Sequence, residues 1–457
     1  MKGFATPGFH FTRQSGLEWD GWDRYLNCLR PERSAVRIDL AETRRLDQPS
    51  LGRRSGAARL LILAEEAPLL CGPRLAAARA ARESGYDVHI AAPLDPAFSR
   101  HAQLRAAIDA AGLAFWEMPA PEPRAGVLKE LRLIGLFGDL IDALKPDLIH
   151  CIGLRPVIYA GAAARLRGLP TVLAIPGFGT AQSADGAKAA LRRFMLRSFL
   201  AIAAGNPKAS VVVQSAEDRT KALSARALQP RRAFLIRGAA SDLALFHPRA
   251  ASERRRGPPI VMFASTRLGS ADVHSFAAAA ALLHAKGLAG RFVIMGEPDG
   301  REPGSVSPEE LGAYQEAGLI EWWGQPADRP HTFRQADIFC FPGICPEGIP
   351  GSLIEALASG LPVVAGECAG TRQAVCHGSN GLLVPPRDAQ ALAGALERAM
   401  GDAEFRQSAG ERSREIAEAE FSLEAFLTAS LIVYRAALGD RPALRAAVHP
   451  IERGRAP

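Results

Sequence analysis

Short apolar runs alternate with helix-like segments along most of this 457-residue chain. The first run is residues 59–64. An apolar run of this length, without polar alternation, is typical of a strand that is buried on both faces of a parallel sheet. A second strand is expected at residues 86–91, after an alanine- and arginine-rich segment that ends at Glu83. Strands that alternate with helices therefore predict a doubly wound α/β fold.

The alternation occurs in two blocks, and the chain is too long for one ordinary core, so we expect two α/β domains. Further strands are expected at 147–151, 171–175 and 210–214 in the first block, and at 259–264, 291–295, 319–323, 338–341, 362–365 and 381–384 in the second. A polar, turn-rich segment at 247–258 is interpreted as the linker. The predicted organisation is an irregular extension at 1–56, a first domain at 57–246, a second domain at 259–418, a last helical segment at 419–438 and a tail at 439–457.

The composition limits the classes of protein and partner. The chain is 48% apolar and 23% charged, which is typical of a globular protein, and its net charge is +7. No apolar run approaches the length of a membrane span and no signal-type stretch opens the chain, so we expect a cytoplasmic protein. The seven cysteines form no CxxC pair and no zinc-type spacing, so we expect reduced, structural thiols and no metal.

The positive charge is compatible with an anionic partner. No nucleic-acid motif accompanies it, since the chain has no zinc finger, RNP-type aromatic motif or dense lysine run, and we expect no nucleic acid. Peripheral contact with an anionic inner membrane is the preferred interpretation. Residues 188–199 have apolar side chains at helical spacing with three arginines. They fit either a lipid-facing helix or a helix packed on the first domain.

The most informative motif is the segment 346–364. Glu347 lies in a turn rich in Gly and Pro, and Glu355 lies eight positions later in a helix that is expected to begin near Gly351, with Ser352 as its N-cap. The start of that helix presents free backbone N–H groups, which bind anions. Carboxylates on either side can accept hydrogen bonds from sugar hydroxyls. The layout suits a nucleotide sugar with its diphosphate at the helix end.

This segment resembles the glutamate-x7-glutamate motif of family 4 retaining glycosyltransferases. Residues 355–364, Glu-Ala-Leu-Ala-Ser-Gly-Leu-Pro-Val-Val, and 380–386, Asn-Gly-Leu-Leu-Val-Pro-Pro, carry the resemblance further. It spans about residues 59–438, and the segments 74–79, 85–89, 155–161 and 296–299 are similar to bacterial capsule and exopolysaccharide glycosyltransferases.

The resemblance implies a GT-B architecture, in which two Rossmann-like doubly wound domains face each other across a cleft and a last helix crosses back to the first domain. It also implies transfer of a sugar from a UDP-sugar, with retention, onto a saccharide or polyprenyl-diphosphate-saccharide acceptor in capsule, exopolysaccharide or O-antigen synthesis. No metal and no cofactor are expected, because the UDP-sugar is a co-substrate.

The resemblance assigns roles to residues of the second domain. Arg267 is expected beside the diphosphate, where fixed donors stabilise the charge that grows on the leaving group. Glu347 is expected to face the donor sugar and Glu355 to hold the ribose hydroxyls. Backbone N–H groups near phosphate are expected from Gly348, Gly351 and Ser352.

On the acceptor side, we expect Gly72, Arg74 and Arg155 to line the cleft, because each follows a predicted strand and parallel sheets bind ligands at the carboxyl ends of their strands. Arg155 is the candidate for an acceptor diphosphate. His150 is interpreted as a core or loop histidine, and Ile152 stands where the family often has a catalytic-loop histidine.

Two departures from the family pattern leave an alternative open. A lysine is expected five residues after Arg267, and Asp272 stands there. Residues 343–346, Gly-Ile-Cys-Pro, precede Glu347 where relatives usually have a serine and a basic residue. A non-catalytic relative that keeps the fold and the ribose carboxylate, and serves as a binding or assembly partner, is therefore the second hypothesis. A sugar-nucleotide epimerase of the same architecture is disfavoured by the two-glutamate turn. The first strand has no G-x-G-x-x-G sequence after it, which argues against a dinucleotide oxidoreductase.

Overall fold

The computed structural model describes residues 56–70, 72–93, 101–119, 127–175, 201–214, 232–237, 240–250, 257–265, 268–298, 304–345 and 348–439. Three sequence predictions lie outside these ranges. They concern Arg267, Glu347 and the arginine-containing segment 188–199. The predicted extension before residue 56 and the tail after residue 439 also lie outside the described part of the chain.

The first domain is built on a parallel sheet of seven described strands in the order β3-β2-β1-β4-β5-β6-β7. The strands are β1 (Arg59–Ala64), β2 (Asp87–Pro93), β3 (Ala114–Met118), β4 (Leu148–Ile152), β5 (Thr171–Ala174), β6 (Ala209–Val213) and β7 (Ala233–Leu235). The described helices are α1 (Pro73–Glu83), α2 (His101–Ala110), α3 (Val127–Leu144) and α4 (Gly161–Leu166), with a π-helical turn at Pro156–Ala160 before α4.

The second domain repeats this plan with six described parallel strands in the order β10-β9-β8-β11-β12-β13. The strands are β8 (Ile260–Ala264), β9 (Arg291–Met295), β10 (Glu321–Trp322), β11 (Ile338–Phe341), β12 (Val363–Gly366) and β13 (Gly381–Val384). The helices are α5 (Ser270–Ala285), α6 (Pro308–Glu316), α7 (Arg329–Gln335), α8 (Gly351–Ala358), α9 (Ala389–Gly401), α10 (Ala403–Glu420) and α11 (Leu423–Ala437).

Burial explains why these apolar runs became strands. Every residue of β1 and of β8 is buried, as expected for central strands covered on both faces. The prediction of two doubly wound parallel sheets is confirmed. In each sheet the strand order reverses once, between β1 and β4 and between β8 and β11. A ligand crevice in such a sheet lies outside the carboxyl ends of the strands at this reversal.

The last helix, α11, lies against the first domain although it follows the second in sequence. The Leu423 N–H donates to the Ser241 carbonyl at 2.9 Å, and the Tyr434 hydroxyl lies 2.9 Å from His150 Nδ1 on β4. Tyr434 is almost fully buried and also forms an edge contact with Tyr86. The helix therefore ties the end of the chain to the first sheet.

Among the helices that the structure describes, none has both the length and the apolar character needed to cross a membrane.

Candidate functional site

The start of α8 lies at the carboxyl edge of the second sheet. Pro350 is the N-cap, and its carbonyl accepts from the N–H groups of Leu353 and Ile354 at 3.1 and 3.4 Å. The N–H groups of Gly351 and Ser352 precede these bonds and belong to the unsatisfied donors of a helix start. Gly351 is exposed, so an anion can reach this end of the helix.

The structure corrects the sequence assignment of Ser352. Its side chain does not cap α8, since the N-cap is Pro350, two residues earlier, and no side chain caps the helix. The Ser352 hydroxyl instead donates to the Ala264 carbonyl at 2.6 Å, at the last residue of β8. This bond fixes the helix start against the central strand.

Gly348 shapes the loop that enters α8. Its φ of 107° is in the left-handed region, which favours glycine. Gly370, after β12, packs so closely on this loop that a side chain there would overlap the Gly348 carbonyl and Cys345. The loop is therefore held from two sides, by β8 through Ser352 and by the segment after β12.

The carboxylate of Glu355 is held by Arg329, the first residue of α7. Arg329 Nη2 donates to Glu355 Oε2, and both side chains are largely buried, with exposed fractions of 17% and 22%. The Arg329 guanidinium also lies 5.7 Å from the centre of the Phe333 ring. The pair neutralises the Glu355 charge and fixes the direction of the carboxylate, and among the residues that the structure describes no donor to Oε1 is found.

Asp272 forms a second charged pair at the same edge of the sheet. It lies in the first turn of α5, and its Oδ1 accepts from Arg387 Nε at 2.8 Å. Arg387 follows β13, and its N–H donates to the carbonyl of Pro342, the residue after β11. Gly343 lies against the carboxylate, and a Cβ there would overlap it. The negative charge at the position of the expected lysine is thus compensated by a neighbouring cation.

Two thiols lie beside the α8 loop. Cys345 Sγ and Cys368 Sγ are 2.8 Å apart, and both residues are half-buried. The Thr371 hydroxyl lies 3.4 Å from Cys368 Sγ, and the Cys368 N–H donates to Thr371 Oγ1. The hydrogen bond from the Cys345 thiol, with further donors, lowers the pKa of Cys368, and the same bond raises the pKa of Cys345.

The first domain places its three predicted residues at the carboxyl ends of β1 and β4. Gly72, with a φ of 72°, is the N-cap of α1, and Arg74 in the first turn donates from Nη1 to the Leu69 carbonyl at 3.2 Å. Arg155 begins the π-helical turn after β4. Its N–H and that of Leu154 donate to Glu65 Oε2 at 3.4 and 2.6 Å.

Glu65 organises this edge of the first sheet. Burial raises the pKa of its carboxyl group, an effect that the hydrogen bond from the Leu154 N–H and the charge of Arg155 oppose. Gly153, with a φ of 99°, lies so close that a side chain there would overlap Glu65. The carboxylate therefore fixes the turn that presents Arg155.

His150 is half-buried at the end of β4, and its Nδ1 lies 2.9 Å from the Tyr434 hydroxyl. Burial, with a smaller effect from the Arg74 charge, lowers the pKa of the imidazole to about 3. It borders a cavity of about 40 Å³ under α11 that is lined mainly by apolar side chains, with Arg74 and Gln214 among the polar ones. The volume can hold water but not a saccharide.

The structure thus assembles the predicted residues in two groups, one in each domain. Gly348, Gly351, Ser352 and Glu355 form one loop-to-helix unit, and Gly72, Arg74 and Arg155 lie at the reversal point of the first sheet. The sequence analysis missed Arg329, Arg387 and Glu65. No local signal marks them, because each acts on a partner 26 to 115 positions away.

Comparison with models of known protein families shows which family the chain belongs to. Residues 74–239 match the model of the glycosyl transferase 4-like domain, and residues 258–402 match the model of glycosyl transferases group 1. Together the matches cover more than half of the chain, one in each domain. The chain belongs to this glycosyltransferase family, and the sequence resemblance to family 4 is confirmed.

Individual relatives agree with this assignment. The amylovoran biosynthesis glycosyltransferase AmsK of Erwinia amylovora is 46% identical over 69 residues, which is 14% of this chain and 17% of AmsK. The N,N'-diacetylbacillosaminyl-diphospho-undecaprenol alpha-1,3-N-acetylgalactosaminyltransferase of Campylobacter jejuni is 24% identical over 58% of this chain and 70% of its own length. Six further curated relatives are matched over only 10% to 48% of their length.

Solved structures agree with the fold. The crystal structure of Anabaena HepE in complex with UDP superposes with a TM-score of 0.64 at 18% identity, covering 83% of this chain and 100% of that chain. At this identity the likeness concerns the fold. The predicted GT-B architecture is confirmed.

Proposed function

We propose that this protein is a retaining glycosyltransferase that transfers a sugar from a UDP-sugar to a lipid-linked saccharide in surface polysaccharide synthesis. The observation that carries the proposal is the unit formed by the amide end of α8 and Glu355. A helix start with exposed Gly351 lies beside a carboxylate whose direction Arg329 fixes. This combination suits a diphosphate joined to a sugar with neighbouring hydroxyls.

In the proposed donor complex, the diphosphate lies at the N–H groups of Gly348, Gly351 and Ser352. Glu355 Oε1 accepts from the ribose hydroxyls while Oε2 stays with Arg329. Glu347 faces the donor sugar and Arg267 lies beside the diphosphate, as the family resemblance implies. The UDP in the crystal of Anabaena HepE, whose fold is similar, supports a uridine donor.

The transfer breaks the bond between the anomeric carbon and the diphosphate oxygen, and the bonding electrons leave with UDP. The acceptor hydroxyl oxygen attacks the anomeric carbon from the same face, and its proton passes to the departing phosphate oxygen. Fixed donors around the diphosphate stabilise the growing charge, so neither a metal nor a cofactor is part of the proposal.

The acceptor is proposed to bind at the carboxyl edge of the first sheet. Arg155, presented by the Glu65 turn, is the proposed contact for an acceptor diphosphate, with Gly72 and Arg74 beside it. The name of the Campylobacter jejuni relative describes an acceptor that carries diphospho-undecaprenol, and this supports the proposed class of acceptor. With such an acceptor, we propose that the reaction occurs on the cytoplasmic side of the anionic inner membrane.

Titration calorimetry with UDP and a screen of UDP-sugars by mass spectrometry test the proposal. Glu355→Gln is expected to weaken UDP binding about tenfold, because a neutral amide accepts ribose hydrogen bonds less strongly. Glu397→Gln is the matched control, since Glu397 lies on α9 in a surface pair with Lys286. If Glu355→Gln binds UDP as tightly as the wild type, the ribose role is wrong.

The non-catalytic alternative rested on Asp272 and on the turn before Glu347. Because Arg387 compensates the Asp272 charge, Asp272 repels a diphosphate less than an unpaired carboxylate would. The two hypotheses still differ in one measurement. UDP binding without donor hydrolysis or transfer, across the donor screen and with a polyprenyl-diphosphate-saccharide acceptor, favours the binding protein, and turnover with any donor favours the enzyme.

A further inference from the structure

Arg387 occupies an unusual backbone position at the carboxyl edge of the second sheet. Its φ is 62°, in the left-handed region that side chains rarely adopt. Within the described ranges, Lys145 is the one other non-glycine residue with a positive φ. Glycine would relieve this strain, and strained residues are concentrated at functional sites. The presence of arginine at this position therefore indicates that its side chain has a function.

The backbone of Arg387 is held between the loops that form the donor site. Its N–H donates to the Pro342 carbonyl at 2.9 Å, and its own carbonyl lies 3.3 Å from the Ser275 hydroxyl on α5. Pro342 is the first residue of the loop that leads to α8. Arg387 is consequently fixed to the same loop that carries the proposed phosphate-binding glycines.

Asp272 orients the Arg387 side chain but accepts from only one of its N–H donors. Asp272 accepts from Nε alone, at 2.8 Å, and the Arg387 side chain is 45% exposed. A guanidinium has four further N–H donors on its two Nη atoms. No acceptor for these donors is found in the part of the chain that the structure describes. A planar fork of free donors matches phosphate oxygens.

The Asp272 carboxylate is built into this arrangement. It is 14% exposed, and the absence of a side chain at Gly343 makes room for it. Asp272 thus acts as a positioning residue, which aims the Arg387 fork. Two departures from the family pattern, Asp272 and the turn that contains Gly343, therefore act together to orient Arg387.

We propose that Arg387, aimed by Asp272, binds the diphosphate of the donor and takes the place of the missing lysine. This inference rests on the proposed function, because it needs a nucleoside diphosphate at the α8 loop. Arg387 is proposed to contact the diphosphate of the nucleotide, and neither the base nor the ribose. The contribution should therefore be present with UDP and absent with uridine.

The test compares Arg387→Gly with Lys145→Gly. Both changes remove one cation at a positive φ that glycine accepts, and Lys145 is an exposed residue just after α3 in the first domain. Arg387→Gly relieves the positive φ but leaves the Asp272 carboxylate without its partner, two opposed effects on stability, so its thermal midpoint is expected to stay close to that of the wild type. It is expected to bind UDP at least tenfold more weakly, to bind uridine as the wild type does, and to lower kcat with each donor that the wild type uses.

Lys145→Gly should match the wild type for both ligands. Arg387→Asn, which also tolerates a positive φ, provides a second variant should the glycine variant misfold.

Each outcome decides one question. Wild-type UDP affinity in both Arg387 variants overturns the role of Arg387 and leaves the proposed function intact. An equal loss for UDP and uridine also overturns it, because a purely structural role predicts that result. If the wild type binds no member of a panel of UDP, ADP, GDP and dTDP, the proposed function fails, and the inference fails with it.

Discussion

Glu355 on α8 and Arg329 at the start of α7 form an ion pair in which each side chain is less than a quarter exposed. The bond joins the start of α7 to the middle of α8, and Arg329 also packs over the Phe333 ring. A carboxylate that is oriented before the ligand arrives loses less conformational entropy on binding. The pair therefore prepares Glu355 for ribose hydroxyls without occupying its Oε1 atom.

Removal of the Arg329 charge should weaken both stability and nucleotide binding. Arg329→Met keeps an apolar stem against Phe333 but leaves the Glu355 carboxylate largely buried without its partner. We expect a loss of about 1–3 kcal/mol in the free energy of unfolding and UDP binding weaker by about tenfold. Urea unfolding and calorimetry measure the two effects.

Arg412→Met is the control for this experiment, because Arg412 forms an exposed pair with Glu415 on α10. Exposed pairs of this kind contribute little to stability. If both variants behave alike, the Arg329–Glu355 pair has no special role in the site.

Gly343 should tolerate no side chain while Asp272 is present. In Gly343→Ala the new Cβ would overlap the Asp272 carboxylate, so the carboxylate must turn away and break its bond to Arg387. We expect a loss of about 1–3 kcal/mol in the free energy of unfolding, as for other overpacked sites. The double variant Gly343→Ala with Asp272→Ala should recover most of it.

The matched control is Gly394→Ala on α9, where a Cβ meets no atom within 4 Å. That change should stabilise the protein by roughly 1 kcal/mol, because alanine is the better helix former. A destabilising Gly343→Ala that the Asp272 change fails to rescue would show that the overlap with the carboxylate is not the cause.

The sequence predicted the central strands well, since residues 338–341 form β11 and the predicted strand at 259–264 contains β8. It missed β3 and β7, which lie at the two edges of the first sheet. β3 has a mixed burial pattern, with Trp116 and Glu117 half-buried, and β7 spans only three residues. Edge strands lack the continuous apolar run that identifies a central strand.

At the site, the sequence predicted the features that lie within one segment but not the contacts between residues far apart in the chain. The loop, the helix and Glu355 lie within one short segment, so their spacing was informative. Ser352 was assigned as a cap because its type and position fit one, yet the nearby end of β8 draws its hydroxyl away. The pairing of Asp272 with Arg387 joins residues 115 positions apart, and no spacing rule reaches that far.

His150 should make the first domain less stable in mild acid. The folded state holds the imidazole neutral with a pKa of about 3, whereas an unfolded chain binds the proton near pH 6.5. Unfolding therefore takes up a proton between these values, and the free energy of unfolding falls as the pH drops through this range. Between pH 7 and pH 5 this proton uptake lowers the free energy of unfolding by about 2 kcal/mol.

His150→Asn should remove this part of the pH dependence, so the variant should lose about 2 kcal/mol less than the wild type over the same range. Urea unfolding at pH 7 and pH 5, with separate transitions fitted for the two domains, measures the difference. His331→Asn, at an exposed position on α7, is the control and should follow the wild type. Equal pH dependence in His150→Asn and the wild type would show that the imidazole is protonated in the folded state.

Cys368 should react as a thiolate at a pH where ordinary thiols are protonated. The Cys345 thiol, 2.8 Å away, donates to Cys368 Sγ and lowers the pKa of Cys368. In a sample kept reduced with a phosphine, alkylation of Cys368 by iodoacetamide should change little between pH 8 and pH 6.5. A short unstructured peptide with one cysteine, added to the sample, serves as the reference thiol, and its alkylation should slow over that range. Peptide mass spectrometry resolves the two thiols. Cys345→Ala removes the donor and should make Cys368 alkylation fall with pH as that of the reference peptide does, and an unchanged pH profile in that variant would show that Cys345 does not cause the shift.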